Sequence, residues 1–138
     1  MNDIVVGIDR SETAARAAAV AAEMAQALGV NLHLVTCADK SRSFDVRVGT
    51  DQFHADWLTE AEQFLKDTGR KMGIEQISHA VGSGNPATVI CDEARRVEAR
   101  MVVVGNRRVQ GVSRVLGSVA NDVLRQADCD VLIVNTTG

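Results

Sequence analysis

Three runs in this chain are apolar at every position: Ile4-Val5-Val6, Met101-Val102-Val103-Val104 and Val131-Leu132-Ile133-Val134. A strand with one face in water alternates apolar and polar residues, so a run without alternation must be covered on both faces. The segments between the runs supply the covers. Ser11-Glu12-Thr13 suits a helix start, and Ala17, Val20, Ala21, Met24 and Leu28 then recur at helical spacing until Gly29 stops them. The many alanines let this helix lie close to a sheet. Phe53, Trp57, Ala61, Phe64, Leu65, Thr68 and Met72 line one face of a second helix, with Trp57 read as core. Pro86 suits the first position of a third helix, ending near residue 97. Val119, Ala120, Val123, Leu124 and Ala127 mark a fourth. Residues 30–37 and 74–81 read as two further strands. Strand and helix therefore alternate from end to end. This order predicts an α/β fold: a doubly wound, five-stranded parallel sheet with helices on both faces.

The chain of 138 residues is expected to form one domain, 1–138, with a single sizeable core. Its formal charge of −3 does not favour a nucleic-acid surface. No apolar run approaches the length of a membrane span. The opening residues MNDIVVGID read as the first strand rather than a signal peptide. Cys37, Cys91 and Cys129 are odd in number, far apart and in no CxxC pair, which suits small buried side chains in a reducing cytoplasm. His33, His54 and His79 form no HxxxH or His/Cys cluster, so no dedicated metal site is expected.

Sheets of this kind bind ligands outside the carboxyl ends of the strands, where the strand order reverses. That edge gathers Asp9, Val35-Thr36, the 82–86 turn and the loop after Gly105. The polar stretch 38–50, with Lys40, Arg42 and Arg47, reads as a loop. Several phosphate-binding patterns fail here. The P-loop GxxxxGK[ST] is absent. Gly82-Ser83-Gly84-Asn85-Pro86-Ala87 matches G-x-G-x-x-A, but it follows the third strand and its Pro86 explains it as a helix-starting turn. A phosphoacceptor receiver domain shares the topology, but it needs an acidic pair after the first strand and a late lysine; Asp9 is alone and no lysine follows Lys71. What remains is GNRRVQGVSRVLGS. It joins Gly105 at a strand end to Arg107, Arg108 and Arg114, a flexible Gly111, and Gly117-Ser118 at a helix start, with Ser118 expected to cap that helix. Backbone amides, a helix N-terminus and arginines together suit an anion.

Over essentially its whole length the chain resembles a small universal stress protein. The likeness is carried by VVGIDRSETAARAA, by GNPATVICDEA and, most specifically, by MVVVGNRRVQGVSRVLGSVANDVLRQADCDVLIV. Nucleotide-binding members carry a glycine, two residues, a second glycine, nine residues, then Gly-Ser or Gly-Thr; Gly105 matches the first glycine and Gly117-Ser118 the last pair. Arg108 stands at the second glycine, and the span from Gly105 to Gly117 is one residue short. The resemblance implies an adenine-nucleotide-hydrolase-like fold and binding of ATP with Mg²⁺, or of AMP or cyclic AMP, as a regulatory rather than catalytic act, with at most slow ATP hydrolysis. It places Ile8 and Asp9 beside the adenosine, Asp9 near ribose or base, and Val35 where its backbone meets adenine. Gly105, Asn106 and Arg107 would border ribose and phosphates. Arg108 would meet a phosphate or take its place, and Gly117, Ser118 and Val119 would hold the phosphates. It also implies a homodimer through Val131-Leu132-Ile133-Val134. The departures keep an alternative open, a dimeric interaction protein of the same fold that binds no nucleotide.

Overall fold

A computed structural model of the chain describes residues 3–8, 12–38, 51–73, 77–106 and 117–135. Asp9, the loop 39–50 and the stretch from Arg107 through Arg114 lie outside the described residues, as do the first three residues of the expected third strand, 74–76. Strand β1 (Ile4–Gly7) is followed by helix α1 (Glu12–Leu28), β2 (Leu32–Ala38), α2 (Asp51–Met72), β3 (Ile77–Ser83), α3 (Pro86–Arg96), β4 (Met101–Asn106), α4 (Ser118–Gln126) and β5 (Asp130–Asn135). All four strand pairs are parallel, in the order β3-β2-β1-β4-β5. This is the doubly wound sheet that the unbroken apolar runs predict. The strand order reverses between β1 and β4.

The alternation of faces is hidden inside the apolar runs. On one side Ile4, Val6, Leu32, Leu34 and Val103 pack with α1 and with Leu65 of α2. On the other Val5, Val35, Val102 and Val104 pack with Ala87, Ile90, Cys91 and Ala94 of α3 and Ala120 and Val123 of α4. Successive residues thus feed two cores, and among the described residues only His33 and Thr36, both on β2, bring buried polar side chains. Helix α1 meets the sheet through Ala17, Ala18, Ala21, Ala22 and Ala25, all buried, whereas Leu28 is exposed. Of the expected stripe, Ala17 and Ala21 are buried, Val20 and Met24 pack against the core, and Leu28 is exposed; Ala18, Ala22 and Ala25 widen the face toward the strands. Gly29 ends the helix with φ +67, the left-handed conformation that favours glycine. In α2, Ala61 and Leu65 are buried and Phe64 packs beside them; the expectations for Phe53 and Trp57 concern side chains outside those described.

Two strands run further than the sequence suggests. Gly82 and Ser83, read as turn residues, pair with Cys37 and Ala38 and extend β3. Gly82 is there for closeness: a Cβ would stand 2.5 Å from a methyl of Val89 on α3. Asn85 then caps α3, its Oδ1 accepting from the Thr88 N–H at 3.2 Å, and Pro86 opens the helix as expected. At the other end of the reversal, Gly105 and Asn106 pair with Val134 and Asn135, which carries β4 to the rim of the sheet.

Candidate functional site

Topology places the candidate site outside the carboxyl ends of β1 and β4, where the strand order reverses. Its floor is fixed by main-chain bonds. Ile8, just past β1, donates its N–H to the carbonyl of Val35 at 2.8 Å. Its own carbonyl accepts from Thr36 Oγ1 at 2.7 Å. Both polar groups of Ile8 are therefore held by β2, and its side chain is buried in the α1-side core. Val35 lies with its side chain in the opposite core. Its carbonyl, already bonded once, keeps a second lone pair. Thr36 is one of two buried polar residues among those described. Its tie across the strand ends escapes sequence reading, because a threonine at a strand end looks like any other. Farther along the rim, the Cys37 thiol reaches the Gly84 carbonyl at 3.1 Å and pins the start of α3 to the end of β2.

Opposite this floor stands the start of α4. Gly117, not Ser118, is the N-cap: its carbonyl accepts from the Asn121 N–H at 3.0 Å, and Ser118 is the first helical residue. The expectation that Ser118 caps is thus corrected. Among the described residues no side chain caps the first-turn amides; Asn106 Oδ1 accepts instead from the N–H of Gly117 itself, at 2.6 Å. Gly117 has φ −64 and ψ 164, a backbone any residue can adopt, so turning does not require glycine here. A Cβ at Gly117 would stand 3.3 Å from that same Asn106 oxygen, a tight contact that the amide side chain would have to ease by a few tenths of an ångström. Ser118 and Val119 are exposed on the first turn. Helix start and strand end are thereby locked together at the mouth of the crevice, with amides of the first turn in position for an anion.

Of the residues singled out from the sequence, the fold brings Ile8, Val35, Gly105, Asn106, Gly117, Ser118 and Val119 to this one end of the sheet. Asp9, Arg107 and Arg108 lie outside the described residues. Among the described residues no group of three or more His, Cys, Asp or Glu gathers as a metal site, and no helix is long and apolar enough to cross a membrane.

Comparison with known proteins agrees with this architecture. A universal stress protein of Staphylococcus aureus strain USA300 is 27% identical over 139 aligned positions, covering 97% of this chain and 84% of its own length. A universal stress protein solved in complex with cyclic AMP is 30% identical and superposes with a TM-score of 0.69 over 99% of this chain and 98% of its own. One from Archaeoglobus fulgidus, solved in complex with dAMP, is 27% identical with a TM-score of 0.67 over 96% and 97%. The profile of the universal stress protein family matches residues 1–135, and the chain belongs to that family.

Proposed function

We propose that this protein binds an adenine nucleotide in the crevice between β1, β4 and the start of α4, and that it acts in the stress response by binding rather than by turnover. The observation that carries the reading is the junction of Asn106 and Gly117, which sets a strand end and the first turn of a helix against each other at the reversal of strand order. Two relatives that align with nearly the whole chain were solved with cyclic AMP and with dAMP, and this supports the adenine class. Val35 and Ile8 form the floor beneath the base, with Asp9 beside the ribose. Gly105, Asn106 and Arg107 border the sugar and phosphates, and Gly117, Ser118 and Val119 with Arg108 take the phosphates. ATP is the proposed ligand. Its Mg²⁺ would be held chiefly by phosphate oxygens, as that ion commonly is.

One observation favours a second reading, a dimeric interaction protein without nucleotide: the Gly117 N–H is already taken by Asn106. A single titration separates the two. ATP, AMP and cyclic AMP are added to the protein with Mg²⁺ present and binding is followed calorimetrically. Saturable binding of at least one supports the first reading; no binding of any at millimolar concentration overturns it. In a Gly117→Val variant, the new side chain crowds Asn106 and shields the first-turn amides, so binding is lost while the fold survives. Unchanged affinity would place the site elsewhere.

A further inference from the structure

At the opposite ends of the strands, far from the crevice, lies a chain of hydrogen bonds that nucleotide binding does not use. His33, second residue of β2, is only 3% exposed. Its register partner on β3 is Ser78, and the Ser78 Oγ stands 2.6 Å from His33 Nδ1. The other ring nitrogen, Nε2, stands 2.9 Å from Oε1 of Glu93 on α3. The same carboxylate is held by Arg96, whose Nε donates to Oε1 at 2.7 Å and whose Nη2 donates to it as well. Asn31, just before β2, donates from Nδ2 to Ser78 Oγ at 2.9 Å and to Asp3 Oδ2 at 3.3 Å.

The direction of these bonds can be worked out. Arg96 and His33 keep the Glu93 carboxyl below its ordinary range, the Arg96 bond contributing most, so the group is an ionised acceptor at neutral pH. Nε2 must then carry the hydrogen, and in the neutral ring Nδ1 is left as the acceptor. Ser78 fills it by donating its hydroxyl proton. Hydroxyl to imidazole to carboxylate is the order of a nucleophile, its base and the group that orients the base. The imidazole is turned so that Nδ1 rather than Nε2 serves the hydroxyl, which leaves each role unchanged. A buried polar tie between strands needs satisfied partners only; it does not need a partly exposed hydroxyl on an edge strand aimed at a base. Ser78 has that position, since β3 is the outer strand. Asn31 gives one amide hydrogen to Ser78 Oγ and the other to Asp3 Oδ2, and so fixes the hydroxyl oxygen while its proton faces the imidazole.

We propose that Ser78, His33 and Glu93 form an acyl-transfer centre that accepts small carboxylic esters. Ser78 Oγ attacks the ester carbonyl carbon as its proton passes to His33 Nδ1, and the carbonyl oxygen takes up the negative charge. Collapse breaks the bond to the alkoxy oxygen, which leaves with the proton from Nδ1 as the alcohol. Water then attacks the acyl-Ser78 carbonyl, giving its proton to Nδ1, and Ser78 recovers that proton as the carboxylic acid departs. One ester and one water give one acid and one alcohol, with no other reactant. Glu93 is a positioning residue: it touches the base, not the substrate.

The test uses the full chain with a small fluorophosphonate probe and with p-nitrophenyl acetate. Wild-type protein is expected to take up one phosphonyl group on the peptide that carries Ser78, and to release p-nitrophenol beyond one equivalent. Ser78→Ala, a change too small to disturb the fold, loses both. Glu93→Gln slows labelling by at least about tenfold, because the imidazole loses its fixed tautomer, and Glu93→Asp recovers part of that rate, as a purely structural role would not require. Wild-type protein that stays unlabelled, labelling at another residue, or a Ser78→Ala variant that reacts at the wild-type rate would each overturn the proposal.

Discussion

Asn106 and Gly117 are eleven residues apart in sequence and 2.6 Å apart at the crevice. Neither residue type announces this contact, because the side chain that holds the Gly117 N–H comes from the previous strand rather than from the helix's own first residues. The bond joins the two halves of the proposed phosphate site and can be separated from ligand binding by one substitution. Asn106→Asp keeps an oxygen for the Gly117 N–H and strengthens that bond by its charge. The same charge repels a phosphate brought to the neighbouring amides. The variant is expected to unfold in urea at or above the wild-type midpoint while its affinity for AMP falls by about tenfold or more, a Coulomb cost of the order of 1–4 kcal/mol near a surface. Equal affinities would remove the phosphates from this junction. A second residue-scale prediction concerns Glu93. Its folded pKa lies below the ordinary value of 4.5, first through the Arg96 bond and then through His33. A depressed carboxylate contributes stability that is present above its unfolded pKa and is lost as pH falls through its folded pKa. Urea unfolding of wild type should therefore weaken on acidification below about pH 4.5, and Glu93→Gln should flatten that decline.

Helix α3 shows how one element is set at both ends. Asn85 and Pro86 start it by rules visible in the sequence. Its end is less orthodox: Glu98 has φ 53, a left-handed conformation usually given to glycine, while the Ala99 N–H reaches back to the Ala94 carbonyl at 2.8 Å. Glu98→Gly relieves that backbone cost and is expected to raise unfolding stability by about 1 kcal/mol, read from the urea midpoint at unchanged slope. No gain would mean that the contacts of the glutamate side chain offset its strain. The elements also mark where sequence reading succeeds and stops. Helix and strand type follow from periodicity, which is local. In α1 periodicity located the helix and the centre of its buried face, Ala17 and Ala21, but not its width: Ala18, Ala22 and Ala25 are buried as well and Leu28 is exposed, because close packing on β1 and β4 favours alanine. Gly82-Ser83 and Gly105-Asn106 carry turn residues yet lie in strands, because ladder bonds to β2 and β5 hold them extended. His33 looked like a scattered histidine, since its partners Ser78 and Glu93 lie 45 and 60 residues away. Residue type and spacing are legible in a sequence; a side chain supplied from another element is not.

At the scale of the whole molecule, the order β3-β2-β1-β4-β5 leaves two outer strands. An outer strand offers a row of backbone donors and acceptors to another chain. The two differ in composition. β3 reads ISHAVGS and carries polar and small residues, whereas β5 reads DVLIVN and keeps Val131, Leu132 and Ile133 only partly buried. Helix α4, which packs against β4 and β5, adds the exposed side chains of Val119 and Leu124 beside the same edge. Among the described residues, two of the three exposed large hydrophobic side chains, Val119 and Leu124, thus lie on the helix that packs against β5, as pairing of two copies about a two-fold axis at that edge would require. The expected state is a homodimer joined through β5, sedimenting at about twice the 14.8 kDa of one chain. If dimerisation and folding are coupled, stability must depend on concentration: each tenfold increase in protein should add about 1.4 kcal/mol per dimer to unfolding. Leu132→Lys places a charge at the centre of the edge, and it should give a folded monomer whose urea midpoint no longer moves with concentration. Sedimentation of wild type as a monomer, or a Leu132→Lys protein that remains dimeric, would move the interface away from β5.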